Sequence, residues 1–265
     1  MINSISFPKL GIFLNVNRVA FTVLGKPIFW YAIIIVTGFL LGTLFVMRSA
    51  KKRGGNPENF LDIALYGLIF GLIGARLYYV IFDPDCLDGN ILNIFKIWEG
   101  GIAIYGAIIA AVITAYVYCR RHKLAILPTF DLCVQGLFIG QAIGRWGNFV
   151  NAEVYGGETA LPWGMSINGN TPVHPLFIYE SLWNVLGFIL VLIYRNRVKN
   201  DGRIFFFYIF WYSLGRLFLE GMRQSEYMLM LTDNIGISQA VALLGIIVGI
   251  AGRVCLSIKT IKEKK

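Results

Sequence analysis

Charge is scarce in this chain: 15% of its 265 residues are Asp, Glu, Lys or Arg, while 57% are hydrophobic. Soluble domains carry roughly 25% charged residues, so this composition excludes an ordinary soluble fold and indicates a polytopic membrane protein. Histidine occurs only twice, and the four cysteines at 86, 119, 133 and 255 show no paired spacing. A zinc ribbon and a disulfide framework are thereby excluded, and no metal or cofactor is expected. There is no serine in a nucleophile elbow and no glycine loop followed by lysine, which removes the α/β-hydrolases and the P-loop enzymes. Residues 1–26 have scattered basic residues and no compact apolar run ending in small residues, so no cleavable signal peptide is expected. The net charge of +9 does not form one patch. Its lysines and arginines fall in short clusters between apolar runs, a pattern of membrane topology and not of nucleic-acid binding.

Apolar runs long enough for a bilayer are present in number. They predict spans near 28–47, 61–82, 101–119, 128–150, 176–194, 204–222 and 235–251, in a single all-α integral membrane domain over residues 1–265. Residues 1–27 hold apolar pieces too short to span and read as an external or interfacial segment. Residues 151–175 lack charge over much of their length, yet prolines 162, 172 and 175 with nearby glycines forbid a helix, so they read as an ordered external loop. Lys and Arg concentrate in alternate connections: Arg48–Arg53, Arg120–Lys123, Arg195–Arg203 and Arg253–Lys265 hold 16 of the 24. The positive-inside rule places these in the cytoplasm, which puts the N-terminus outside and the C-terminus inside.

That topology gathers the costly residues. Arg76, Arg145, Arg216, Glu220 and Arg223 fall toward the outer ends of the even-numbered spans. Tyr31, Tyr105, Tyr179 and Glu180 fall in the outer turns of the odd-numbered ones, and Glu153 and His174 flank the external loop. Ionisable groups inside a membrane are expensive and mark functional sites. The segment Gly140–Glu153, GQAIGRWGNFVNAE, is the densest case. Its glycines at 140, 144 and 147 offer surfaces for close helix approach, and Asn148 and Asn151 stand beside Arg145. Arg145 either snorkels to headgroups or holds a phosphate or carboxylate through parallel hydrogen bonds. Arg216, Glu220 and Arg223 share one helix face at i, i+4 and i+7. They either tie helices together or leave one arginine for a phosphate diester. Arg76 has Glu99, Glu153 and Glu220 as possible partners. Asp131 reads as a helix cap or packing group, and His122 has no special claim. An anion transporter and a membrane scaffold compete with an enzyme, but the charges lie on one side with no matching cytoplasmic route and no repeat between halves.

Residues 144–153 closely resemble the signature of the prolipoprotein diacylglyceryl transferases. The likeness extends through Phe29–Tyr31, Gly74–Arg76, Trp98–Gly101, His174–Pro175 with Tyr179–Ser181, and Gly215–Arg216 with Glu220 and Arg223, in the family's order. It implies a seven-span bacterial inner-membrane enzyme without cofactor, its site toward the outer face. The implied reaction moves the sn-1,2-diacylglyceryl group of phosphatidylglycerol to the lipobox cysteine of a prolipoprotein, before signal peptidase II acts. Arg145, Asn148, Glu153, Arg216, Glu220 and Arg223 match motif positions tied to lipid binding or turnover. Many members carry histidine where this chain has Tyr105, which counts against an imidazole there. Taken together, Arg145, Arg216, Glu153, His174 and Tyr105 are candidates for catalysis. Tyr31, Arg76, Asn148, Asn151, Tyr179, Glu180, Glu220 and Arg223 are candidates for substrate binding. A thiol must lose its proton in this reaction, and His174, Glu153, Tyr105 or no protein group at all remain open as the acceptor.

Overall fold

The computed structural model describes residues 2–87, 89–196, 201–224, 230–232 and 235–262. Arg197, Lys199, Lys264 and Lys265, which enter the charge pattern above, lie outside the described residues. The chain is mostly helical: α1 (Trp30–Lys52), α2 (Pro57–Phe82), α3 (Ile104–Arg121), α4 (Ile126–Asn151), α5 (Leu176–Tyr194), α6 (Arg203–Glu220) and α7 (Ile237–Lys262). Among the described residues, six of these are long and apolar enough to cross a membrane. The exception is α6, which carries Arg203, Arg216 and Glu220. The chain divides into two compact units, one of residues 1–45 with 130–265 and one of residues 46–129.

Helix limits differ from the apolar windows for local reasons. The first helix runs on through Arg48, Lys51 and Lys52. Lys and Arg are good helix formers and favour the negative C-terminal end, so the helix outlasts the apolar run. The second starts four residues early because Asn56 caps it, accepting from the Glu58 N–H at 3.0 Å, with Pro57 in the first turn. The third starts late because Gly100 and Gly101 hold φ of +93° and +69°.

The expectation of an all-α chain is corrected in the larger unit. Strands β1 (Ile2–Phe7), β2 (Ile12–Asn17), β3 (Val19–Val23) and β4 (Lys26–Phe29) occupy the N-terminal segment. β5 (Ser166–Ile167) lies in the 151–175 loop, and β6 (Met230–Thr232) pairs with β7 (Ile235–Gly236). The sheet order β2-β1-β5 ties the N-terminus to the loop. Its cause is a period-two pattern: Asn3, Ile5 and Phe7 are buried, and the intervening residues are not. Ile5 and Phe7 form a core with Met165, Ile167, Val173 and Phe177. Each short apolar piece is unremarkable by itself, and it is pairing across the long interval that makes the sheet.

Two helix contacts position the site. α1 meets α4 through glycines: a Cβ added at Gly42 would stand 2.6 Å from the Gly136 carbonyl oxygen, and one at Gly38 would stand 3.2 Å from that of Gly140. The backbones themselves form this seam. α5 and α6 are locked by a reciprocal tryptophan pair. Trp183 Nε1 donates to the Trp211 carbonyl at 2.9 Å, Trp211 Nε1 donates to that of Trp183 at 3.0 Å, and the rings stack at 4.3 Å. At the other end of α6, Asp131 accepts from the backbone N–H groups of Gly202 and Phe205 at 2.8 and 2.7 Å. It caps the helix, in line with the expectation for that residue.

Candidate active site

The tryptophan lock sets the rotation of α5 against α6, and Ser181 sets α5 against α4 by donating to the Ala142 carbonyl at 2.8 Å. Between these two constraints stands Glu180, 7% exposed. Its carboxylate reaches three guanidiniums from two other segments: Arg145 Nη2 at 2.5 Å, Arg223 Nη2 at 3.4 Å and Arg216 Nη1 at 3.9 Å. Glu220 takes Arg216 Nη2 at 2.9 Å and Arg223 Nε at 3.6 Å. The i, i+4, i+7 face therefore forms, with a correction. Neither Arg216 nor Arg223 stands free beside Glu220, because Glu180 supplies a second carboxylate from α5.

Three cations against two anions leave one positive charge unmatched in this group. A third carboxylate, Glu153, joins through amides. Arg145 Nη1 donates to Asn148 Oδ1 at 3.4 Å, and Asn148 and Asn151 donate to Glu153 Oε1 at 3.1 and 3.2 Å. Exposure separates the arginines. The Arg145 and Arg216 side chains are 23% and 20% exposed, and that of Arg223 is 9%. Burial first, then the Arg216 guanidinium beside it, pulls the Arg223 pKa below the ordinary arginine value against the opposing pull of Glu220 and Glu180. The loop holds Arg223 by the backbone, as the Gly157 N–H donates to the Met222 carbonyl at 2.9 Å. A narrow cleft of about 10 Å³, room for roughly one water, is lined by Glu180, Asn184, Tyr212 and Arg216.

Tyr31, in the first turn of α1, packs on the same end of α4. A Cβ on Gly147 would come within 2.7 Å of its ring, so that glycine makes room for the tyrosine. His174 and Tyr179 form a separate group at the head of α5. Trp163 Nε1 donates to the Tyr179 hydroxyl at 2.7 Å, and that hydroxyl lies 3.3 Å from His174 Nδ1. The phenol oxygen has two lone pairs, so its contact with Nδ1 takes its direction from the His174 tautomer. With the proton on Nε2 the phenol donates to Nδ1, and with it on Nδ1 the imidazole donates to the phenol oxygen. The His174 backbone is also engaged with the loop, accepting from the Gly156 N–H at 2.9 Å and donating to the Gly157 carbonyl at 3.0 Å.

Arg76 and Tyr105 belong to the other unit. Arg76 is 7% exposed and donates to four backbone carbonyls: Asn93 at 2.7 Å, Ile94 and Gly101 at 2.9 Å, and Gly100 at 3.2 Å. Short 3-10 turns and positive-φ glycines turn these carbonyls toward it. Tyr105 is half-buried in the first turn of α3. Sequence reasoning missed the Trp183–Trp211 lock, the Ser181 tether and Trp163. The signal for the lock was a tryptophan on each of two adjacent spans, each spaced by about one turn from a charged residue.

The family described as prolipoprotein diacylglyceryl transferase matches residues 18–255. The phosphatidylglycerol–prolipoprotein diacylglyceryl transferase of Clostridioides difficile (strain 630) is 41% identical over 243 residues, covering 92% of this chain and 96% of the relative. The enzyme of the same name from Finegoldia magna is 43% identical over 235 residues, 88% of this chain and 93% of its own length. That from Lysinibacillus sphaericus (strain C3-41) is 42% identical over 260 residues, covering 93% and 94%.

Proposed function

The chain belongs to the prolipoprotein diacylglyceryl transferase family, and we propose that its three-arginine, two-carboxylate cluster holds the phosphate of phosphatidylglycerol during transfer. The protein is a multi-pass membrane transferase. It moves the sn-1,2-diacylglyceryl group from phosphatidylglycerol to a prolipoprotein thiol, forming a thioether and releasing glycerol 1-phosphate, the first step of lipoprotein maturation. A sulfur–carbon bond forms, the carbon–oxygen bond to phosphate breaks, and the electron pair leaves on the phosphate oxygen. The phosphate thereby passes from one negative charge to two as the thiol proton departs.

The observation that carries this reading is the state of Arg145 and Arg216. Both are partly exposed, and both lean on the same carboxylate, Glu180. Among the described residues, Glu180 and Asn148 are the acceptors found for Arg145, and Glu180 and Glu220 those for Arg216. A guanidinium has five N–H donors, so each arginine retains some for phosphate oxygens. The guanidiniums of Arg145 and Arg216 suit a monoanionic diester and suit the leaving dianion better, which is the sense catalysis requires. Glu153 receives its two amide donors on Oε1, which leaves Oε2 for the thiol proton. His174, tied to Tyr179, stands at the head of α5 as a polar group for the substrate. Tyr31, Asn148 and Tyr179 shape the walls.

The same reading makes α6 the sixth of seven spans in one integral membrane domain. Its charges are matched internally: Arg216 by Glu220, and Arg203 by Asp201 at 3.3 Å and Thr260 at 2.9 Å. The N-terminus, residues 1–27 and the 151–175 loop then lie outside, the basic connections lie in the cytoplasm, and the site opens toward the outer leaflet of the bacterial inner membrane. The acceptor is the lipobox cysteine of an apolar, membrane-inserted signal peptide, and signal peptidase II acts on the product. The test is release of glycerol phosphate from phosphatidylglycerol by purified protein with and without a lipobox peptide. Release that needs the peptide supports the assignment, and equal release without it refutes direct transfer.

A further inference from the structure

Glu153 occupies a strained piece of backbone. Ala152 has φ +52° and Val154 has φ +56°, so non-glycine residues on both sides of it lie in the left-handed region. That region is unfavourable for any L-residue and most of all for a β-branched one, and it persists only where surroundings enforce it. Local bonds go part of the way: Ala152 N–H donates to the Phe149 carbonyl at 3.0 Å, and Glu153 N–H to that of Asn148 at 3.1 Å. A further anchor comes from the far N-terminal side of the chain. Arg18, between β2 and β3, donates from Nη2 to the carbonyl of Asn151, the residue just before the strained pair. Its own carbonyl accepts from the N–H of Trp30, the first residue of α1, at 3.0 Å. Its Nε is buried with no acceptor among the described residues. A guanidinium kept from full solvation in this way is held by its place in the structure, and that place is the end of α4.

We propose that Arg18 is a positioning residue for transfer. Its bond to Asn151 holds the 152–154 turn closed, keeps the Glu153 carboxylate on Asn148 and Asn151, and couples the N-terminal hairpin to the site. This rests on the reading above that Glu153 takes part in the reaction.

Four variants test it: Arg18→Met, which keeps the stem and loses the donors; Arg18→Lys, which keeps a donor; Val154→Gly, which accepts positive φ without strain; and the double variant Arg18→Met/Val154→Gly. Each is assayed for kcat and KM with phosphatidylglycerol and a lipobox peptide, and for thermal unfolding in detergent. Arg18→Met is expected to lower kcat about tenfold, the loss of one charge-assisted hydrogen bond, with KM changed by less than about twofold. Arg18→Lys should recover most of that loss. In the Val154→Gly background the same Met substitution should cost less than about threefold in kcat and should shift Tm less, because the turn no longer needs holding. If Arg18→Met fails to fold, recovery by Val154→Gly supports the proposal and failure in both backgrounds overturns it. Equal losses of kcat and Tm in the two backgrounds, or wild-type kcat in Arg18→Met, also overturn it. Glu153→Gln run in parallel separates the two readings. Full activity there sinks the role of Glu153 in transfer, while coupling of Tm between residues 18 and 154 still decides whether Arg18 holds the turn.

Discussion

Arg76 and the Arg145–Arg216–Arg223 group are two answers to the same difficulty, an arginine withdrawn from water in an apolar chain. Arg76 is surrounded by four carbonyl oxygens from one connecting segment, so four hydrogen bonds fix its plane and leave little of its fork available. The other three share two carboxylates at distances from 2.5 to 3.9 Å. Carbonyls fixed by backbone geometry cannot yield to a ligand. A shared carboxylate can, because an arriving phosphate replaces one anionic partner with another. The first arrangement builds structure, and the second is suited to binding. Burial alone does not distinguish them, since Arg76 is 7% exposed and Arg223 side chain 9%; the nature of the acceptor does.

The sharpest way to break this comparison is at Glu180, the point where all three arginines meet. Removing one partner from a buried charge group costs about 3–5 kcal/mol. Glu180→Ala is therefore expected to abolish transfer and lower Tm together, while Glu220→Ala damages chiefly the Arg216–Arg223 side. A stable, active Glu180→Ala enzyme would show that the hub is dispensable. Next in size, Arg145→Ala and Arg216→Ala should each lower kcat/KM by about 30- to 1000-fold, near 2–4 kcal/mol, with the fold retained. Near-normal turnover at matched protein level would argue against phosphate contact. Arg76→Lys should behave oppositely. An ammonium cannot address four carbonyls in the plane of a guanidinium, so stability is expected to fall by about 1–3 kcal/mol while turnover per folded molecule stays within a few-fold. A large kcat loss at unchanged Tm would move Arg76 into the second class.

Smaller effects test the proton assignments. If His174 presents Nε2–H as a donor, His174→Gln, which keeps a donor, should retain activity within about tenfold and preserve the acidic limb of the pH–rate profile. Loss of that limb would restore His174 as the base. The smallest expected effect is none. Cys86, Cys119, Cys133 and Cys255 form no disulfide, and the nucleophile belongs to the substrate, so a cysteine-free variant should match the parent in a single-turnover assay. An inactive but folded cysteine-free protein would point to an enzyme-bound intermediate.

Much of the site was legible because its residues are expensive where they stand. Arg145, Arg216, Glu220 and Arg223 interrupt apolar runs, and helical spacing alone puts the last three on one face. Asp131 could be read as a cap for the same reason. What was hidden depends on pairing over distance. That Glu180 faces α4 and α6 at once follows from the Trp183–Trp211 lock and the Ser181 tether, contacts that no local pattern announces. The carbonyls that converge on Arg76 were hidden too, because their convergence depends on the turns before α3. The left-handed turn at 152–154 was invisible for a related reason: no glycine marks it, and the geometry is imposed from Arg18, 133 positions from Asn151.

The glycine seam between α1 and α4 bears on how a two-tailed lipid travels. Where Gly42 faces Gly136, even a methyl group would stand 2.6 Å from a carbonyl oxygen, and one turn away Gly38 against Gly140 leaves hardly more. A passage too tight for one methyl is closed to a polymethylene chain, so along these turns the seam is a wall and not a doorway. Under the function proposed above, a lipid tail therefore does not pass between these turns of α1 and α4.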